Sequence, residues 1–265
     1  MKSRKLLSGP YLFWAASFII IPLLMILYYG LTDKNGNFTL MNLAQITTQE
    51  NLKALGLALL LSFVSTLICL ILAYPLAMIL SEKNVNQTSF IVLIFILPMW
   101  MNFLLRTYSW MSILENNGLL NQFFQNIGLI DLYNQIAMHF SANPAKYVPI
   151  DHFQMIGTQG AVVLGMVYNY LPFMILPIYS VLVKLDHSLV EAARDLGAGR
   201  AQVFQKVILP LSLPGVLSGI TMVFVPAVST FAISRLLGGG TQIMLGDLIE
   251  MQFLGNSYNL NVGSA

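Results

Sequence analysis

The chain predicts an all-α, polytopic membrane helix bundle, on three observations. Apolar residues make up 57% of its 265 positions and charged residues only 9%, with a mean hydropathy of +0.73, whereas a soluble domain carries about 25% charge. Too little polar surface remains to keep such a chain in water, so lipid is the solvent for most of it. Apolar runs long enough to cross a bilayer recur over residues 11–31, 53–80, 90–114, 160–183 and 211–233, and turn signals separate them. Residues 1–265 read as one transmembrane domain of five visible spans. A net charge of +2 leaves no electrostatic footprint for nucleic acid. The one cysteine, Cys69, sits inside an apolar run, which excludes an intramolecular disulfide and a cysteine-based metal centre and leaves a small core residue.

The first run follows a basic start at Lys2, Arg4 and Lys5. It is too long for a signal-peptide core and no small-x-small site follows, so it reads as an uncleaved span, kinked at Pro22. Thr32 to Asn51 is polar, with a turn signal at Asn35-Gly36. The second run carries Ser62, Ser65 and Thr66, whose hydroxyls can bond back to the helix or to a neighbour, and Tyr74-Pro75 marks a late kink. The third is rich in aromatics. The external segment 115–159 is the longest polar stretch, with turn signals at Asn117-Gly118 and Asn143-Pro144, and is expected to form short surface helices. Pro172 and Pro177 lie in the fourth run, Pro214 and Pro226 in the fifth. Gly238-Gly239-Gly240 then reads as a turn or hinge, since no lysine follows and no strand precedes for a phosphate loop. Thr241 to Leu254 reads as a short amphipathic helix.

The cytoplasmic loop 184–210 carries the sharpest pattern. Leu189, Ala192, Ala193 and Leu196 recur at helical spacing while Glu191, Arg194 and Asp195 point elsewhere. Asp186 or Ser188 caps the start and Gly197 fits the end. A second short helix, about Ala201 to Val207, runs into Leu209-Pro210, where the proline breaks or kinks it. With the N-terminus inside, Lys2, Arg4, Lys5, Lys83, Lys184, Arg194, Arg200 and Lys206 fall on the cytoplasmic side. Only Lys34, Lys53, Lys146 and Arg235 fall outside, the bias the positive-inside rule requires.

Glu191-Ala192-Ala193, then Gly197, then Val207-x-Leu209-Pro210 resembles the EAA loop of ABC importer permeases; the departure is Val207, where the family usually has isoleucine. The resemblance implies the ABC importer permease fold and a coupling helix docked in a groove of a cytoplasmic ATPase. It assigns Glu191, Ala192, Ala193, Asp195, Gly197, Leu209 and Pro210 to that contact. Leu97-Pro98-Met99-Trp100-Met101-Asn102, Leu105-Arg106-Thr107-Tyr108-Ser109-Trp110 and Gly118-Leu119-Leu120-Asn121 further resemble the spermidine/putrescine permease subunits of that family. This second resemblance implies polyamine import across the bacterial inner membrane. The partners it implies are a second related permease, two copies of an ATPase that binds ATP and Mg²⁺, and an external substrate-binding protein. No cofactor is expected on this chain. It also implies six spans; the sequence stops where the sixth begins, so that span is expected to be absent or truncated.

Polyamines carry ammonium groups on methylene linkers, and aromatic faces attract such cations by ~0.5–2 kcal/mol per contact. Trp100 and Tyr108, eight apart, are only roughly aligned on a helix, with Trp110 turned well away. These three either line the path or form an interfacial belt. Asn102 either bonds across helices or meets substrate. Asp247 and Glu250, three apart on one face, either receive the amines or are solvated surface carboxylates. Arg106 repels a cation; it snorkels or pairs with an acid as a structural or gating residue, or else binds an anion such as sulfate or phosphonate. Enzyme motifs are missing: no Gly-x-Ser-x-Gly, no His-Glu-x-x-His and no Walker lysine, and His139, His152 and His187 are scattered. An ion-coupled secondary transporter is the rival class, and it calls for internal repeats and mid-span acids that this chain lacks.

Overall fold

The computed structural model describes residues 9–81, 97–140, 148–255 and 258–265. Lys2, Arg4, Lys5, Lys83, Lys146, the Asn143-Pro144 signal and the first part of the third run, 90–96, lie outside them. The described residues are helical, with one isolated bridge between Thr32 and Phe38. Among the described residues, four helices are long and apolar enough to cross a membrane: Pro10–Gly30, Gln49–Ser81, Gln159–Leu182 and Arg200–Val228. The chain divides into two compact units, Met1–Leu57 with Leu245–Ala265, and Ala58–Met244.

In the first unit, α1 (Gly9–Ala15), a π turn (Ala16–Ile20) and α2 (Ile21–Gly30) follow one another without a break. Pro22 lacks an N–H and its ring crowds the carbonyl four residues back. The kink expected there takes the form of the π turn, in which the Ile21 N–H reaches the carbonyl of Ala16, five residues back. Side chains along this helix are nearly all exposed, as lipid solvation requires. The last carbonyls of α2 have no helical partner, and two asparagine amides supply one. Asn42 Nδ2 donates to the carbonyls of Gly30 (3.1 Å) and Thr32 (2.8 Å), and Asn261 Nδ2 to those of Tyr29 (3.1 Å) and Thr32 (2.7 Å). Gly36 takes φ +81° in the turn its sequence signals. There the Asn37 N–H, with help from Asn35 and Gly36, holds the Asp33 carboxyl below its usual range. The unit also holds α3 (Met41–Gln45) and, from the end of the chain, α13 (Leu245–Leu254) and α14 (Leu260–Ser264).

Helix α4 (Gln49–Ser81) continues into the second unit with Pro75 inside it. It packs there with α8 (Gln159–Leu182) and α11 (Leu209–Val228) around Cys69, Ala73, Ala77, Met174, Ile175, Ile178 and Val223. Cys69 is the small core residue its context predicts. Close approach of α8 and α11 depends on two glycines a turn apart. A Cβ on Gly215 would lie 2.9 Å from the Pro177 carbonyl oxygen, and one on Gly219 2.7 Å from Met174 Sδ. Tyr74 OH and Ser212 Oγ share a 2.7 Å hydrogen bond that ties α4 to α11.

The third and fifth runs differ from expectation. Residues 97–100 are helical, the helix stops at Met101-Asn102, and α5 begins at Phe103 and ends at Leu114. The break has a local cause: Asn102 is extended, and its Oδ1 accepts the N–H groups of Leu104 (2.8 Å) and Leu105 (3.4 Å) as an N-cap. Twelve residues rise about 18 Å, so α5 alone does not cross a bilayer. The fifth helix begins at Arg200 rather than residue 211, ends at Val228, and is followed by a separate α12 (Ala232–Leu237). Helix α12 packs on α8 where Gly165 leaves room for Ile233 and Leu237. The glycine triplet is a turn, with φ +57° at Gly239 and +73° at Gly240.

The segment 115–159 holds a helical hairpin, α6 (Leu119–Asn126) and α7 (Leu129–Phe140), joined through Gly128 at φ +71°. Two asparagines bind the returning chain as peptide mimics. Asn121 Nδ2 donates to the Phe153 carbonyl (3.0 Å) and its Oδ1 accepts the Phe153 N–H (2.9 Å). Asn134 does the same with Ile150, at 2.9 and 3.0 Å. Phe153 is thereby held against Phe124 and Tyr133, at ring separations of 5.8 and 5.4 Å. Asn121→Ala removes the partners of partly buried backbone groups at Phe153 and Glu115, so it is expected to loosen the hairpin by about 1 kcal/mol. Faster amide exchange across residues 115–157 with unchanged exchange in α8 is the measurement that checks this.

Candidate functional site

The loop between α8 and α11 is built as a helix, a left-handed stop and a second helix that merges into the membrane. Helix α9 (His187–Asp195) starts where Asp186 Oδ1 accepts the Ser188 N–H at 3.0 Å. It ends in a Schellman motif: the Gly197 N–H reaches the Arg194 carbonyl (2.8 Å) and the Ala198 N–H the Ala193 carbonyl (3.0 Å), with Gly197 at φ +82°. Only glycine adopts that conformation at no steric cost.

The apolar stripe of α9 does not pack on this chain. Leu196 is 90% exposed and Leu189 47%, Ala192 is exposed and Ala193 half-buried. Glu191 and Arg194 face the other way, into a cleft of about 390 Å³ also lined by Leu182, Leu185, Val190 and Ile208. Asp195 is exposed.

Pro210 does not break the following helix. α10 (Arg200–Val203) passes through a π turn (Phe204–Ile208) into α11 without interruption. The reason matches that at Pro22: the residue before the proline, Leu209, donates its N–H five residues back, to Phe204. Leu209 packs at the edge of the three-helix core, and Phe204 meets Tyr74 edge-on at 5.7 Å. The loop is thus joined to the bundle by a helix rather than by a flexible linker. Neither the π turn nor the outward-facing leucines were anticipated from sequence; the proline was the available signal for the first.

Among the residues proposed for a substrate path, Trp100 and Tyr108 do not share a helix face. Trp100 is 76% exposed and Tyr108 48%. The break at Asn102 stands between them, so the shared face expected of a continuous helix does not exist. Trp110 is half-buried, edge-on to Tyr168 at 5.3 Å. Asn102 spends its carbonyl oxygen on capping rather than on a neighbouring helix. Asp247 and Glu250 lie on α13, in the other unit. Asp247 is buried in the first turn of α13 rather than solvated, a helix end that favours a carboxylate. Arg106 pairs with no described acid. It is 93% buried (7% exposed) because α5 packs on α8 and α12, and its Nε and Nη1 find no hydrogen-bond partner among the described residues.

A bundle of apolar helices with a capped, charged helical loop continuous with one of them is the architecture of an ABC importer permease. The chain belongs to the family of binding-protein-dependent transport system inner membrane components, whose match runs over residues 73–265, and it is a multi-pass inner-membrane protein. It is 34% identical over 247 residues to the spermidine/putrescine transport system permease protein PotB of Escherichia coli K12, covering 91% of this chain and 83% of that one. The Haemophilus influenzae PotB is also 34% identical, over 258 residues, 95% of this chain and 83% of its own. Among solved structures, a bacterial alginate ABC transporter in complex with its alginate-bound periplasmic protein superposes with a TM-score of 0.72 at 16% identity, covering 99% of this chain and 88% of that one.

Proposed function

We propose that this chain is the permease subunit of an ATP-driven polyamine importer, with spermidine and putrescine as its substrates. The outward-facing apolar stripe of α9, on a loop helically continuous with α11, carries the proposal: it is an uncovered docking face joined to a membrane helix. The 34% identity to PotB proteins over most of the chain supplies the substrate class.

In the proposed assembly the N-terminus and the loop are cytoplasmic. A second related permease completes the pathway, and an external binding protein delivers substrate. Two ATPase copies, holding ATP and Mg²⁺, engage the two coupling helices; their closure moves α9, and α10 with its π turn transmits the motion to α11. Glu191, Ala192, Ala193, Asp195 and Gly197 form the docking helix, with Leu209 and Pro210 at its junction with the bundle. This chain carries no catalytic residue and binds no cofactor in that scheme.

Arg106 supports a second possibility, an anionic substrate, because two of its buried guanidinium nitrogens have no acceptor among the described residues. One experiment separates the two. Uptake of labelled spermidine by cells making the full assembly is expected to be competed by putrescine and spermine and not by sulfate. Competition by sulfate alone replaces the polyamine assignment with the anionic one.

A further inference from the structure

We infer that the hairpin helix α7 lies flat in the membrane interface on the face opposite the EAA loop, with one side sunk among lipid headgroups and upper acyl chains. Helix α8 crosses the membrane with the loop at its C-terminal end, so the hairpin that precedes its N-terminal end belongs to the other face. At twelve residues α7 is about 18 Å long, too short to span and suited to lying along the surface.

Its sides are chemically distinct. Ile130 and Asn134 turn toward this chain, Ile130 buried and Asn134 bonded to Ile150. Asp131, Gln135 and His139 form an exposed polar side, with the exposed Met138 at its edge toward Asn134. Leu129, Leu132, Tyr133, Ile136 and Phe140 form a third, at spacings of three and four, and all are exposed, Phe140 at 83%. No charged residue interrupts this stripe, and its one polar atom is the Tyr133 hydroxyl. A protein partner of that area is held by about one hydrogen bond per 100–200 Å², which the stripe does not offer, whereas a lipid boundary asks only for apolar area with an aromatic edge. The other helix of the hairpin is exposed in the same way: α6 begins at Leu119, a few residues after α5 ends at Leu114, and exposes Leu119 and Phe123.

Spin labels test this in the assembled importer, reconstituted in phosphatidylethanolamine/phosphatidylglycerol nanodiscs with native cysteines replaced. Labels go singly at positions 132 and 136 on the apolar side and 131 and 135 on the polar side, all exposed, so the fold is not strained. Collision with oxygen is expected to exceed collision with a nickel chelate at 132 and 136, and the ratio to invert at 131 and 135. Preferential nickel contact at 132 and 136 overturns the inference in favour of water, and protection from both reagents overturns it in favour of a protein cover. Labels at the exposed Leu217 of α11 and Leu23 of α2 serve as references: loss of oxygen contact at both signals failure of the membrane assignment itself, not of the hairpin's placement.

Discussion

Uptake by the assembled importer is expected to fall at least about tenfold in Gly197→Asp and Glu191→Lys, with the permease still present in the membrane at its normal level. Glu191 turns into the cleft behind the outward stripe, so in the proposed scheme its replacement acts by reversing a charge behind the docking face rather than by removing a contact. An effect of about 2 kcal/mol corresponds to roughly thirtyfold. Both residues are exposed and neither supports the bundle core, so the loss is one of coupling. At Gly197 two effects combine. The backbone is left-handed at φ +82°, which costs a side chain roughly 1–2 kcal/mol, and a carboxylate there opposes the negative end of the α9 dipole. Gly197→Asn isolates the charge, since asparagine shares the shape and left-handed tolerance of aspartate without the carboxylate; it is expected to retain most uptake. Substrate-stimulated ATP hydrolysis should fall in parallel with uptake in the Asp and Lys variants. Normal uptake in both would remove α9 from the coupling pathway.

Gly215→Val is expected to be the most damaging single change to the bundle itself. Its Cβ would lie 2.9 Å from the Pro177 carbonyl oxygen and 3.2 Å from the Ile178 Cα. Both are backbone atoms, so relief requires α8 and α11 to separate. Overpacking of this kind costs about 1–3 kcal/mol where side chains can yield, and more where the neighbour is main chain. A lower melting temperature in detergent and loss of the permease from the membrane are the readouts, with Gly215→Ala intermediate. Gly56, on α4, is the control: nothing lies within 4 Å of its added Cβ, so Gly56→Ala is expected to be neutral or stabilising by about 0.5–1 kcal/mol. Wild-type stability in Gly215→Val would mean that the two helices do not meet at this glycine.

What could be read from the chain alone was local. The α9 stop at Gly197, the Asp186 cap and the Asn35-Gly36 turn each depend on residues within a few positions of one another. Membrane embedding followed from composition and run length. The break at Asn102 escaped because apolar residues on both sides hide a cap inside one hydropathic run. The clamps made by Asn121 and Asn134 reach 32 and 16 residues along the chain, and no spacing rule encodes them. Arg106 looked like a residue near a helix end able to reach water; its burial comes from α8 and α12, which are distant in sequence. Leu189 and Leu196 were visible as a stripe, but periodicity does not say whether this chain or another covers it.

The π turn at Phe204–Ile208 has a consequence for how the loop is aimed. It winds one more residue into the helix than an α-helical path of the same rise would hold, and at 3.6 residues per turn one residue is about 100° of rotation. The π turn thus absorbs that residue, and everything upstream, Leu196 included, keeps the azimuth of an α-helical path one residue shorter. Removing a single position between Val203 and Pro210 would let plain α-helix close there and leave the loop's aim nearly unchanged, whereas adding one would swing the loop by about 100° around the axis of the helix that carries it.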